Sequence, residues 1–317
     1  MATDSTSEFK AHPPTRPSSS TSELFGGLYA RGGVTAVTDE AWVQAMLDVE
    51  AVLGGDALAA ADVDIAALGR GAAEHASPVV PLAKRFPDTH AGATSQDILD
   101  TAMMLVTTRA LVPLLDDANA AADAAGGLAR RHRDTPLTGL TLLQPALPTT
   151  FGLKAAGWMT AIDEGARELR AVPLAVQMGG PVGTRDPAVA ARVAGRLGLA
   201  EPVLAWHTNR VRPARIACAL GLLAGALGKV ARDVTLSSAY VREGVPGRGG
   251  SSAMAHKRNP VASVSVLACA KRVPGLVATM LRLYGAGARA RGRGLAGGVG
   301  DADRVAGADR IGCGLGP

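Results

Sequence analysis

The sequence is poor in aromatic residues: Phe, Trp and Tyr make up 3% of its 317 residues, although 47% are hydrophobic. The apolar content comes from Ala, Leu and Val, whereas β-sandwiches and β-barrels depend on aromatic and β-branched residues. The scarcity therefore argues against those β classes. Long helices are the expected structure, and the sequence predicts an all-α fold.

Cysteine is also scarce. Cys218, Cys269 and Cys313 lie far apart and lack metal-ligand spacing, so neither a disulfide framework nor a zinc site is expected, which fits the cytoplasm. The formal net charge is +5, but no Lys/Arg run is interleaved with aromatic residues. We therefore expect no nucleic-acid partner. The longest uncharged apolar stretch, 216–228, is too short to span a bilayer, so no membrane partner is expected either.

Helical periodicity dominates the middle of the chain. Thr38 is a predicted N-cap, followed by an apolar face and a stop at Gly54. A second helix is predicted to begin after Thr94 and Ser95 and to continue, with a break near Pro113, to about residue 131. Few strands are expected. Three further long helices are predicted over residues 151–169, 214–240 and 260–283, with Gly-rich linkers between them.

Composition divides the chain into four parts. Residues 1–22 are polar and Pro-containing, which predicts a disordered leader. Residues 23–102 are interpreted as an N-terminal helical domain and 103–284 as an incomplete central bundle of long helices. Residues 285–317 are mostly Gly, Ala and Arg and cannot form a packed helix. They are either a disordered tail or the product of a frameshift in a GC-rich gene that ends a helical protein near Tyr284.

The segment GGSSAMAHKRNP, residues 249–260, is the richest in chemical groups. Its glycines free the backbone, and Lys257 and Asn259 offer a cation and an amide to an anionic substrate. A GGSS stretch alone would be an ordinary linker. The full pattern G-S-S-x-M-x-x-K-x-N, however, resembles the signature of the fumarase/aspartase superfamily, and K-R-N-P resembles its adenylosuccinate lyase and carboxymuconate cycloisomerase branches. Ala255 stands where that signature usually has proline.

The segment HAGATSQDILDTA, residues 90–102, resembles the first signature region of the same superfamily in its cycloisomerase version. Thr94 and Ser95 lie where hydroxyls and helix N-terminal amides could bind a carboxylate. A plain Ser/Thr N-cap would need no ligand, and the two roles are compatible.

The segment GLTLLQPALPTTFG, residues 139–152, precedes a predicted helix. Fumarases and adenylosuccinate lyases carry Thr-His here, with the His a proposed general acid, but this chain has Leu142. Leucine cannot transfer a proton, which argues against those two activities. The segment instead resembles the version without histidine in 3-carboxy-cis,cis-muconate cycloisomerases. Thr141 and Gln144 remain candidate donors to substrate.

Two shorter segments complete the resemblance. AWHTNRV, residues 205–211, resembles the W-H-T-x-R stretch of the cycloisomerase branch, which places His207 and Arg210 at the mouth of the site. A partly exposed histidine satisfied by backbone groups is an equal alternative for His207. LFGGLYAR, residues 24–31, resembles the entry segment of the family. Arg31 at its end then either faces the substrate carboxylates, as the resemblance implies, or is a surface arginine.

The resemblance implies an L-aspartase/fumarase-like long-helix bundle, a homotetramer whose active sites each draw on three subunits, and a small polycarboxylate substrate without cofactor. These enzymes pass through a carbanion next to a carboxylate, which requires a base and donors for the extra negative charge. Ser251 is then the implied base, and His90 a candidate acid. The implied substrate-binding residues are Thr94, Ser95, Thr141, Gln144, Lys257, Asn259, Arg31, His207 and Arg210.

Three functions stay open. The first is lactonisation of 3-carboxy-cis,cis-muconate in protocatechuate catabolism, the β-ketoadipate pathway. The second is β-elimination that releases fumarate, as in adenylosuccinate lyase or another lyase of the superfamily. The third is an inactive remnant, because the chain lacks the last long helix and the small C-terminal domain that the resemblance leads us to expect.

Overall fold

A computed structural model describes residues 35–54, 59–86, 88, 90, 92–238, 241, 243 and 248–284. The expected leader 1–22, Arg31 and the segment 285–317 lie outside this part. The helices are α1 Asp39–Leu53, α2 Ile65–His75, α3 Val79–Ala83, α4 Ser95–Arg131, α5 Phe151–Arg170, α6 Pro187–Leu197, α7 Val211–Leu236, α8 Val261–Ala270 and α9 Val273–Tyr284. Two strands, β1 Pro136–Thr141 and β2 Gln144–Thr150, form an antiparallel hairpin.

The ends of α1 follow the local signals in the sequence. The Thr38 hydroxyl accepts a hydrogen bond from Ala41 N, and Gly54 ends the helix in a left-handed conformation with a φ of 117°. Because one side-chain oxygen satisfies a free N–H and glycine tolerates positive φ, both ends are set locally. The predicted helix is confirmed.

The longest helix, α4, runs 37 residues and contains Pro113 without interruption. Proline removes one N–H from the helix ladder, which is why a break was expected there. That expectation was wrong: Ala110 and Leu114 on either side are buried and keep the helix packed. The predicted domain boundary at 102/103 falls inside this helix, so the two predicted domains share it.

The hairpin between α4 and α5 was not expected. Its strands carry three prolines and are mostly exposed, so they show no alternation of buried and exposed residues. Its turn is formed by Leu142 and Leu143, both with positive φ, 49° and 65°. These angles match the two-residue turn that suits the twist of a hairpin, although Asn and Gly are its usual residues.

The remaining predicted helices are confirmed with shifted ends. The helix expected over 151–169 is α5, and the one expected over 214–240 is α7, which ends at Leu236. The stretch 260–283 divides into α8 and α9. α4 packs against α1 and α5, α5 against α7, and α7 against α8 and α9, around one continuous core rich in Ala, Leu and Val.

Three helical stretches of the described chain are long and apolar enough to cross a membrane by length and composition alone: Ser95–Arg131, Val211–Leu236 and Val261–Leu283. The apolar stretch 216–228 lies inside the second, so its short length was not a sufficient argument against a span. Of the most apolar windows of these stretches, 56%, 56% and 33% are buried within the chain. The expectation of no membrane partner stays a prediction.

Candidate active site

The N-terminus of α4 forms the centre of one cluster of polar side chains. Thr94 is the N-cap residue and Ser95 the first residue of the helix, and both are partly buried. Asp97 is fully buried one turn later, and its Oδ2 accepts a hydrogen bond from Thr94 N at 3.1 Å. A carboxylate at this position also interacts favourably with the positive end of the helix dipole.

Asp97 also holds the Gly-rich segment that follows α5. Its Oδ1 accepts hydrogen bonds from Gly179 N and Gln177 Nε2, at 2.9 and 3.0 Å, and its Oδ2 accepts one from Gly180 N at 2.9 Å. Gly180 has a φ of 69°, and a Cβ there would lie 2.9 Å from Gly92 O. The segment therefore packs directly against the loop that leads into α4.

His207 lies against this segment. Its Nδ1 is 3.2 Å from Gln177 Nε2, and its backbone carbonyl accepts a hydrogen bond from Arg210 Nη1 at 3.4 Å. His207 is partly buried, so one side of the ring is held by the protein. Because this contact is made by the Gln177 side chain, backbone groups alone do not hold His207.

Arg210 is paired inside the chain. Its two terminal nitrogens donate to the two carboxylate oxygens of Asp100 at 2.6 and 2.9 Å, and its guanidinium lies over the Trp206 ring. The Arg210 side chain is 12% exposed and that of Asp100 1%. Burial raises the pKa of the Asp100 carboxyl above its usual value, although the charge and hydrogen bonds of Arg210 act in the opposite direction.

His90 is held by a buried carboxylate from α1. Its Nδ1 lies 2.8 Å from Glu50 Oε1, and Glu50 is fully buried while His90 is 20% exposed. In the part of the chain that the structure describes, Glu50 Oε2 has no hydrogen-bond partner. A carboxylate that orients a partly exposed imidazole is an arrangement suited to proton transfer.

The glycine-serine loop before α8 is closed at its base. Asn259 N donates to Gly249 O at 2.7 Å, and a Cβ on Gly249, whose φ is 78°, would overlap Asn259 O. Ser251 Oγ accepts hydrogen bonds from Ala253 N and Met254 N at 3.2 and 3.1 Å. Two N–H donors favour negative charge on this oxygen, as a base requires. Lys257 is exposed.

The predicted site residues form three separate groups in one chain. His90, Thr94, Ser95, His207 and Arg210 belong to the region around the start of α4. Thr141 and Gln144 pair at the hairpin tip beyond the other end of α4, which spans about 55 Å. Ser251, Lys257 and Asn259 follow the far end of α7, a helix about 39 Å long whose start adjoins Arg210.

The lengths of α4 and α7 therefore keep the first group apart from the other two within one chain. No cluster of three or more His, Cys, Asp or Glu side chains able to hold a metal ion is found in the described part of the chain.

A family model described as Lyase matches residues 57–275. The chain belongs to this lyase family. A 3-carboxy-cis,cis-muconate cycloisomerase of Bradyrhizobium diazoefficiens is 40% identical over 290 residues, which cover 77% of this chain and 64% of that protein. A nitrosuccinate lyase of Streptomyces davaonensis is 40% identical over 302 residues, covering 79% and 63%.

The fold of this lyase-family chain resembles that of a solved relative. The crystal structure of 3-carboxy-cis,cis-muconate lactonizing enzyme from Pseudomonas putida superimposes with a TM-score of 0.78 at 32% identity, covering 93% of this chain and 77% of that one. The predicted all-α, L-aspartase/fumarase-like bundle is confirmed. The chain spans less than two thirds of the length of the two curated relatives above.

Four side chains of this lyase-family site carried no predicted role: Glu50, Asp97, Asp100 and Gln177. Asp97 and Asp100 stand inside the recognised 90–102 segment, but their burial follows from the folded contacts. Glu50 did give a signal, because it is a charged residue four positions after Met46 on the apolar face of α1. Gln177 has no local pattern, since its partners are 76 or more residues earlier and about 30 later.

Proposed function

We propose that this chain is a 3-carboxy-cis,cis-muconate cycloisomerase, which closes carboxymuconate reversibly to carboxymuconolactone in aromatic catabolism. The observation that carries the proposal is its 40% identity to a cycloisomerase over 290 residues. Leu142 is consistent with it. Its side chain is 97% exposed at the hairpin tip and cannot transfer a proton, so the reaction must run without an acid at this position.

The groups present fit the chemistry of this reaction. In the lactonising direction, a substrate carboxylate oxygen bonds to a carbon of the conjugated double bond, and a proton is added to the carbon next to another carboxylate. In the reverse direction, Ser251 Oγ removes that proton, the carbanion charge spreads onto the adjacent carboxylate, and the C–O bond breaks. Lys257 supplies positive charge in the same loop as Ser251, while Thr94, Ser95 and His207 supply hydrogen-bond donors for carboxylates.

The proposed active unit is a homotetramer. Within a chain, the α4 start lies too far from the hairpin tip and from the glycine-serine loop to share one substrate with them. The three segments can meet where subunits pack with their long helices side by side. We further propose a cytoplasmic location. Light scattering after size exclusion measures the assembly: a tetramer supports the composite site, and an active monomer would refute it.

The test of activity uses the loss of the ultraviolet absorbance of carboxymuconate with the purified chain. Ser251→Ala is expected to abolish turnover while leaving the circular dichroism spectrum and assembly unchanged. Ser252→Ala is the matched control, because it removes the neighbouring exposed hydroxyl and is expected to lose far less activity. Full activity in Ser251→Ala would overturn the assigned base.

A second candidate is β-elimination from a substituted succinate. It is favoured by the nitrosuccinate lyase, which is as similar to this chain, at 40% identity, as the cycloisomerase is. Incubation with nitrosuccinate and adenylosuccinate, followed by chromatography for fumarate, tests it. Fumarate formation without conversion of carboxymuconate would favour the lyase over the cycloisomerase, and no turnover of any of the three would favour an inactive remnant.

A further inference from the structure

Gln177 is fully buried, and its main chain is fixed by one hydroxyl. Thr101 Oγ1 donates to Gln177 O at 2.8 Å and accepts from Gln177 N at 3.0 Å. The contact links the middle of the second turn of α4 to the Gly-rich segment after α5. The Gln177 side chain therefore leaves a backbone that cannot shift without breaking two buried hydrogen bonds.

The orientation of the Gln177 amide is determined by its partners. Its Oε1 accepts a hydrogen bond from Trp206 N at 2.5 Å, and its Nε2 donates to Asp97 Oδ1 at 3.0 Å. Among the described residues, every hydrogen bond to Asp97 is donated by an N–H group, so both of its oxygens act as acceptors. A flipped amide would place oxygen against that carboxylate and NH₂ against an N–H donor.

One hydrogen of Gln177 Nε2 is left, and it faces His207 Nδ1 at 3.2 Å. Nδ1 must accept this hydrogen bond, so the proton of the neutral imidazole resides on Nε2. In the described residues, no hydrogen bond reaches His207 Nε2. The ring therefore presents an Nε2–H donor on the side away from Gln177.

We propose that Gln177 is a positioning residue, oriented by Asp97, which holds His207 as the Nε2–H tautomer so that it donates a hydrogen bond to a substrate carboxylate. The identity of that ligand rests on the proposed function, whereas the tautomer does not. A histidine that accepted at Nε2 would instead turn a lone pair toward the carboxylate. Gln177 thus determines whether the ring attracts or repels the substrate.

The tautomer is measured directly by ¹⁵N NMR of the full chain labelled at histidine, with His207 signals identified by their loss in His207→Ala. In the neutral wild-type ring, Nε2 is expected to be protonated and Nδ1 unprotonated. Gln177→Glu, which has nearly the same shape, is expected to move a proton onto Nδ1. Thr101→Val is the control, since it loosens the same backbone without touching the amide, and it is expected to keep the wild-type tautomer.

A wild-type ring protonated at Nδ1 would overturn the proposal, even if every variant failed to fold. So would a Gln177→Glu spectrum that keeps the wild-type pattern.

Kinetics separate positioning from a structural role. Loss of one hydrogen bond to a charged ligand raises the KM for carboxymuconate roughly tenfold in Gln177→Glu, with a smaller change in kcat. In a His207→Ala background the same substitution is expected to cause little further rise, because Gln177 acts through His207. An equal rise in both backgrounds would overturn the proposal. If the wild-type chain converts no carboxymuconate, the proposed function fails, and the NMR spectra still decide the tautomer.

Discussion

Asp97→Asn tests whether one buried carboxylate holds the start of α4 to the segment after α5. Asp97 is 0% exposed and accepts four N–H groups at 2.9 to 3.1 Å, two on each oxygen. The replacement amide keeps one acceptor oxygen and turns NH₂ toward the other two donors. Two hydrogen bonds to a charged acceptor are lost at roughly 1.5–3 kcal/mol each, so the free energy of unfolding should fall by roughly 3–6 kcal/mol.

Urea unfolding followed by circular dichroism measures this loss. It is a large part of the roughly 5–15 kcal/mol that stabilises a typical protein, so the midpoint should fall clearly while the slope stays unchanged. Asp163→Asn is the control, because Asp163 is exposed and its ion pair with Arg167 is long, at 3.5 Å. No measurable change in the free energy of unfolding is expected. A loss under about 1 kcal/mol for Asp97→Asn would refute the reasoning, since one ordinary hydrogen bond accounts for that much.

Two further predictions concern a buried pair and a strained turn. Arg210→Met should lower the free energy of unfolding by roughly 3–5 kcal/mol at neutral pH, because it leaves the Asp100 carboxylate buried without its arginine partner. Burial then raises the pKa of Asp100 further, so the loss should shrink as pH falls through that value, as measured by urea unfolding across pH, and a loss independent of pH would contradict it. Replacing Leu142 by Asn and Leu143 by Gly together should raise the free energy of unfolding by about 1–3 kcal/mol. Two left-handed leucines cost roughly 1–2 kcal/mol each, and the backbone entropy that glycine loses on folding offsets roughly 0.5–1 kcal/mol of this. An unchanged melting temperature would contradict the strain.

Sequence reasoning worked where the signal is local. Thr38 and Gly54 determine the ends of α1, and the apolar period of α4 extends over the whole helix. The hairpin could not be predicted, because it is held by backbone hydrogen bonds and exposes both faces. The sequence also does not show which predicted site residues lie close together, because His207 and Arg210 contact residues far away in the chain, Gln177 and Asp100. Glu50 could have been found, because a charge on an apolar helix face needs a partner.

The closed base of the glycine-serine loop limits how far its reactive groups can travel. Ser251 and Lys257 each stand two residues from the hydrogen bond between Gly249 O and Asn259 N. Two residues of fully extended chain reach about 7 Å, so each backbone position stays within that radius while the bond persists. The loop is thus a short tether that carries the oxygen of Ser251, the proposed base, on one arm and the Lys257 ammonium group on the other. A substrate therefore has to bind to the surfaces around the loop, because the loop cannot move far enough to contact it elsewhere.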